Sequence, residues 1–203
     1  MKRLFISLAT ILMAVTSVAA TAQGDAAAGE GKVNVCAACH GADGNSELGS
    51  NPKLAGQGER YLLKQLRDIK SGAREVALMT GLLDNMNDQD LMDISAFYAD
   101  QETTLEGADP ELVPLGEQIY RAGISDLGVA ACSACHSPTG SGVAQAGFPA
   151  LSGQHAQYIE EQMKAFRSGA RDNDGDAAPM RIVAERLTDA EIEALASYVS
   201  GLN

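Results

Sequence analysis

Two pentads, Cys36-Ala37-Ala38-Cys39-His40 and Cys132-Ser133-Ala134-Cys135-His136, hold all four cysteines of this 203-residue chain. The spacing has a specific chemistry. Two thiols three positions apart lie along one helical turn, where they can add to the two vinyl groups of a haem, while the adjacent His reaches the iron. Two pentads that consume every cysteine point to covalent attachment of one haem at each. Other uses of paired cysteines fit less well. A zinc site or structural disulfides give the following His no part in either copy. A thioredoxin-like redox pair belongs on a strand-rich α/β scaffold, which the sequence lacks.

A pentad His fills one axial position, so the residue on the opposite face of the iron decides the chemistry. Met or His there makes a closed electron carrier, and an empty position admits small molecules. Only His155 lies outside the pentads. It reads as a surface residue near the start of a helix, and its counterpart in the repeat set out below is Gly58. Methionine is then the candidate. Aligning the last helices of the two halves, Asp88 on Asp189 and Leu91 on Ile192, places Met79 opposite Met180. The same register sets Met86 against Leu187 and Met92 against Glu193, and Met163 matches Leu66, so these three read as packing residues. The expected haem-binding set is therefore Cys36, Cys39, Cys132 and Cys135 for the thioethers, with His40, Met79, His136 and Met180 as axial ligands.

An internal duplication positions these residues. Pro52-Lys53-Leu54-Ala55-Gly56-Gln57 recurs as Pro149-Ala150-Leu151-Ser152-Gly153-Gln154, and Tyr61, Gln65 and Ser71-Gly72-Ala73-Arg74 recur as Tyr158, Gln162 and Ser168-Gly169-Ala170-Arg171. The expected division is 23–104 for the first domain and 105–203 for the second. Gly107, Pro110 and Pro114 break the helical pattern at the seam. Within each half the periodicity is helical and no strand pattern appears. One helix is expected from Ala26 to Val35, running into the first pentad, and one from Leu115 to Arg121 ahead of the second. Leu62, Leu66 and Ile69 share a helix face, as do Ile159, Met163 and Phe166. The last helices carry Leu91, Ile94 and Phe97, and Ile192, Leu195 and Tyr198. Asn87 with Asp90, and Thr188 with Glu191, have the form of capping boxes at their starts. The fold class is all-α.

Several residues could support the irons. Pro52 and Pro149 follow their pentads at similar distances and either supply a carbonyl to the ligand His or serve only as turn prolines. Tyr61, Tyr158, Arg74 and Arg171 either contact haem propionates or form solvated helix ends. The Gly140 to Gly147 stretch lacks a preceding strand and reads as a loop around a haem edge. Asp172-Asn173-Asp174-Gly175-Asp176 lacks the Gly and Glu positions of an EF-hand and reads as an exposed turn.

The amino terminus has the form of an export signal: basic Met1-Lys2-Arg3, an apolar run from Leu4 to Val15, and small residues ending in Ser17 to Ala22. A signal peptide over 1–20, cleaved near 20–22, is expected; its apolar run is short for a membrane span, and no other stretch in the sequence is long and apolar enough for one. Export suits haem attachment to such pentads, which takes place outside the bacterial cytoplasm, so a periplasmic location is expected. Loss of Lys2 and Arg3 takes the formal charge from −12 to −14. That charge argues against nucleic acid or an anionic bilayer as partner and for docking on a basic or neutral protein patch.

With its pentads, the Pro-x-Leu-x-Gly-Gln strings and the Met79/Met180 pair, the chain resembles the cytochrome c4 family over nearly all of its mature length. The resemblance implies two fused class I cytochrome c domains, two haem c groups with His/Met ligation, haems near the domain interface, and no enzymatic activity. It further implies electron transfer from the cytochrome bc complex toward a haem–copper terminal oxidase, with peripheral membrane association open. Two alternatives stand beside it: the dihaem subunit of a flavin-containing sulfide dehydrogenase, and a dihaem peroxidase, which the two matched Met residues disfavour.

Overall fold

The computed structural model of the chain describes residues 24–203; the expected signal peptide lies outside them. The described residues are all-α, with short helices, 3-10 turns and two isolated antiparallel bridges, Ile124–Val129 and Val143–Phe148. The first half contains α1 (Ala26–Glu30), α2 (Asn34–His40), α3 (Glu59–Ser71) and α4 (Asp88–Ala99). The second contains α5 (Val113–Ala122), α6 (Ser133–His136), α7 (Ala156–Ser168), α8 (Pro179–Ala184) and α9 (Asp189–Ser200). None of these helices is long and apolar enough to cross a membrane.

The expected single helix from Ala26 to Val35 is two helices. Asp25 caps α1, accepting from the amides of Ala27 and Ala28. The chain turns at Gly31, and α2 restarts at Asn34 to carry the first pentad. Gly has the lowest helix propensity after Pro, and a break there lets α1 and α2 take different directions. In the second half α5 stops at Gly123, where a Cβ would collide with the Val129 carbonyl. A Ser125–Leu127 turn follows, and the pentad helix α6 is four residues long.

In each half the first helix crosses the last over a glycine. A Cβ at Gly29 would strike the Asp93 carbonyl and the Phe97 side chain; one at Gly116 would strike the Ala194 carbonyl and Tyr198. The missing side chain lets the helix backbones touch, and the crossing buries Ile94 and Tyr98 in one half and Ile192 and Val199 in the other. Both capping boxes form as the sequence implies. Asn87 and Asp90 exchange bonds at 2.9 and 3.1 Å, and Thr188 and Glu191 at 2.7 and 3.3 Å. Met92 and Met163 are buried in the cores, with Met86 partly buried against the first.

On the back of the first half, Asp93 Oδ2 lies 2.5 Å from Lys32 Nζ, and its Oδ1 accepts from the Asp25 amide and the Gln89 side chain. The Lys32 ammonium, with the Asp25 amide next, pushes this carboxyl down from 3.8 to about 2. A depressed folded value means the stabilisation is complete above the ordinary value of 3.8 and disappears as pH falls through about 2. Chemical unfolding at pH 7, 4, 3 and 2 is expected to show the first half losing stability over that window. Asp93→Asn is expected to flatten the loss, and an unchanged slope in that variant contradicts the assignment.

The halves meet through repeated residues. Gln57 Nε2 donates to Ala150 O at 3.0 Å, and Gln57 Oε1 accepts from Ala150 N at 2.8 Å. Gln154 makes the same pair with Lys53, both at 2.9 Å. Since Gln57 matches Gln154 and Lys53 matches Ala150 in the repeat, the contact has an approximate two-fold axis. The Ser-Gly-Ala-Arg strings are helix stops: α3 and α7 end at left-handed Gly72 and Gly169. The turn delivers each Arg to the opposite half. Arg74 Nη2 donates to Tyr158 Oη at 3.0 Å and Gln162 Oε1 at 3.1 Å, and Arg171 Nη2 reaches Tyr61 Oη and Gln65 Oε1, each at 3.1 Å. These four residues are thus cross-links between halves, not solvated helix ends.

His155 is buried rather than at the surface. Its Nδ1 lies 2.5 Å from Glu106 Oε1, and its Nε2 lies 3.0 Å from Ser46 O and 2.9 Å from Ser46 Oγ. The first half and the connecting segment fold over the start of α7, and the imidazole joins all three. Glu106 also takes Lys53 Nζ at 3.1 Å and Ser200 Oγ at 3.2 Å.

Candidate functional site

A cavity of about 1440 Å³ runs between the halves and is lined by every candidate named from the sequence: Cys36, Cys39, His40, Met79, Cys132, Cys135, His136 and Met180. The pentad helices present their residues alike in both halves. Cys36 and Cys132 are half-buried, Cys39 and Cys135 are exposed, and none is in a disulfide. Both His rings are buried. Each is fixed by the proline that follows its pentad: Nδ1 of His40 lies 2.9 Å from Pro52 O, and Nδ1 of His136 lies 2.9 Å from Pro149 O. A carbonyl can only accept, so Nδ1 carries the proton and Nε2 keeps its lone pair for a metal. Burial lowers both imidazoles below their ordinary value despite the opposing pull of the Pro carbonyls, which favours the neutral, ligating form.

The first thiol of each pentad lies in an apolar environment. Burial pushes Cys132 up to about 11 and raises Cys36 as well. The described residues form no strand-rich α/β scaffold of the kind a thioredoxin-like pair sits on, which sets that alternative aside. Nor do three His, Cys, Asp or Glu side chains converge among the described residues in the way a closed zinc site needs.

The lining fits a flat apolar group. Leu62, Leu66 and Ile94 wall the first half, and Phe166, Leu195 and Val199 the second. The Tyr98 hydroxyl is buried with no protein partner and its residue lines this cavity; the matching position in the second half is Val199. A buried orphan hydroxyl at a cavity wall fits a space that holds a bound group.

The two methionines arrive differently. Met79 closes the 3-10 turn Ala77–Met79, and Met180 sits in the first turn of α8. The Asp172–Asp176 segment is only in part the exposed turn that its composition suggests: Asp172, Gly175 and Asp176 are exposed, and Asn173 and Asp174 are half-buried. The Asp174 side chain is 4% exposed and accepts from the amides of Met180 and Arg181, both at 3.0 Å, while Arg181 Nε reaches it at 2.7 Å. Asn173 Nδ2 donates across the interface to Gln65 Oε1 at 2.9 Å and Asp68 Oδ2 at 2.6 Å. The sequence reading also missed Lys70, whose ammonium donates to the carbonyls of Leu83, Asp84 and Met86, and its counterpart Arg167, which donates to Leu187 O. Their shared register and charge were the available signal.

Comparison with known proteins agrees with this geometry. The cytochrome c family model matches twice, over residues 26–103 and 115–203. A cytochrome c4 from Pseudomonas aeruginosa is 53% identical over 203 residues, covering 100% of both chains. The chain belongs to the cytochrome c4 family. A crystal structure of reduced recombinant cytochrome c4 from Pseudomonas stutzeri superposes with a TM-score of 0.88 at 53% identity, covering 89% of this chain and 100% of that one. A thiosulfate dehydrogenase electron acceptor from Thiomonas intermedia is 36% identical over 172 residues, covering 81% of this chain and 77% of that protein.

As a cytochrome c4, the chain carries two covalently bound haem c groups, and the two CxxCH pentads fit one each. It is a dihaem electron-transfer protein that works with redox protein partners, not an enzyme. The haems supply reversible one-electron chemistry. The chain's own contribution is to orient the imidazoles through Pro52 and Pro149, to line the cavity with apolar walls, and to join the two halves around it through Gln57 and Gln154.

Proposed function

We propose that His40 with Met79, and His136 with Met180, are the axial pairs of two closed haems joined through Cys36/Cys39 and Cys132/Cys135. In this reading the chain is exported by a signal over 1–20, folds as domains 23–104 and 105–203, and works in the periplasm. It carries electrons one at a time from a cytochrome bc complex to a terminal oxidase by outer-sphere transfer. The observation that carries the reading is that both pentads, both Pro-tethered imidazoles and the matched methionines face one cavity. Thioether ligation favours ferrous iron and raises the potential relative to bis-His ligation, as suits the oxidising end of a respiratory chain.

Met79→Ala and Met180→Ala test the ligand assignment. Each is expected to remove half of the optical signature of sulfur ligation in a redox titration with haem quantification, and to open one iron to carbon monoxide. A variant that retains two closed haems rules out that ligand. The likeness to a thiosulfate dehydrogenase electron acceptor favours a second reading, in which the electron donor is a dehydrogenase of reduced sulfur compounds. Rapid reduction by such an enzyme but not by a cytochrome bc complex selects it.

A further inference from the structure

The two methionine loops differ in how they are held. Between the repeated Arg and the repeated Met, the second copy is four residues longer, nine positions from Arg171 to Met180 against five from Arg74 to Met79. The added residues make a latch. Asp174 fixes the Met180 and Arg181 amides and is itself closed off by the Arg181 side chain, whose Nη2 also donates to Gly175 O at 3.1 Å. Asn173 ties the loop to α3 of the other half through Gln65 and Asp68, and Lys64 Nζ donates to the Asn173 carbonyl at 2.8 Å. To swing Met180 away, the chain must break the Asp174 bonds or lift the loop off the first half.

Met79 has no such latch. Its own bonds are backbone turns, Met79 N to Val76 O at 2.8 Å and Leu82 N to Met79 O at 3.1 Å. Among the described residues, the side chain that ties this loop is Lys70, and it grips carbonyls from Leu83 onward. Leu78, beside the methionine, is 83% exposed. Segments with few buried contacts and few side-chain ties open locally at lower free energy than the global unfolding. An added ligand that needs the open form gains apparent affinity in proportion to its population.

We propose that the first-half haem, closed at rest, opens to small neutral ligands of the carbon monoxide class more readily than the second, and that Asp174 and Asn173 are positioning residues that keep the second closed. The proposal rests on Met79 and Met180 being the axial ligands. In the exchange the coordination bond to the Met79 sulfur is given up and one to the carbon of carbon monoxide is formed. No electron moves and the iron stays ferrous.

The test uses the reduced, two-haem protein, with the two ligand methyl signals followed by NMR and assigned with Met79→Ala and Met180→Ala. Both signals at the outset are required by the ligand reading; absence of either defeats that reading, whatever the latch does. Carbon monoxide is then added at guanidinium concentrations below unfolding. The Met79 signal is expected to disappear at a carbon monoxide concentration at least tenfold below that for Met180. Asp174→Ala is expected to lower the Met180 threshold at least tenfold, with Asn173→Ala giving a smaller fall and Asp174→Asn partial rescue. Loss of Met180 first or together with Met79, or loss of neither short of unfolding, overturns the proposal. So does a Met180 threshold unmoved in both Asp174→Ala and Asn173→Ala; should Asp174→Ala not fold, Asn173→Ala alone decides.

Discussion

The double variant Cys132→Ala/Cys135→Ala is expected to carry one covalently added haem instead of two and to lose cooperative folding of its second half. The reason lies in what the haem fills. Phe166, Leu195 and Val199 are core residues and cavity wall at once, so the apolar cluster is complete only when the space beside it is occupied. The cavity of about 1440 Å³ serves both halves, and a half left without its group exposes that apolar wall to water, at a cost set against the roughly 5–15 kcal/mol by which whole domains are stable. Denaturing mass spectrometry counts the attached groups, and near-UV circular dichroism reports the packing. Cys36→Ala/Cys39→Ala is expected to give the mirror image, with the first half affected. Two haems in either double variant, or unchanged packing with one, contradicts this account.

The residues legible in the sequence are those whose meaning is local or duplicated. The pentads announce their chemistry within five positions and their Cys and His residues line the cavity, and the capping boxes, legible within four positions, form as read. Met79 and Met180 stood out because a coincidence between copies carries information that one methionine does not. The misread residues depend on contacts no local pattern encodes. His155 looked like a surface residue because its partners, Glu106 and Ser46, lie 49 and 109 positions away. Asp174 looked solvated because acidic turns usually are; only the fold turns it toward the Met180 amide. Arg74 and Arg171 were recognised as a pair, but a pair of repeated residues can face a ligand or each other's half, and sequence does not separate the two. The glycine crossings were hidden by spacing. Gly29 precedes Cys36 by seven positions and Gly116 precedes Cys132 by sixteen, so the register that aligns the pentads misaligns the crossings. An insertion between two fixed points of a repeat conceals one of them.

The same duplication that builds two haem sites also builds their contact, which makes the interface testable with two substitutions. Gln57→Ala/Gln154→Ala removes the four hydrogen bonds that these residues make between the halves, to both main-chain groups of Ala150 and of Lys53, along with two local ones from the Gly58 and His155 amides. At roughly 0.5–1.5 kcal/mol each, the bonds between the halves total roughly 2–6 kcal/mol of coupling, and the main-chain groups left unpaired add to the cost. Each Gln is buried, so water does not fully replace the lost partner. The Arg74 and Arg171 cross-links remain, but they depend on the same close approach of α3 and α7. Guanidinium unfolding followed separately at the two haems is expected to change from one shared transition to two, the first-half transition moving to lower denaturant. Its smaller buried cluster, centred on Val33, Leu62, Ile94 and Tyr98, leaves it more reliant on its neighbour. The matching single variants are expected to fall between, each losing one symmetric pair. A double variant that still unfolds in one step at the original midpoint shows that the halves are coupled elsewhere, through the Glu106 cluster and the connecting segment rather than through the repeated glutamines.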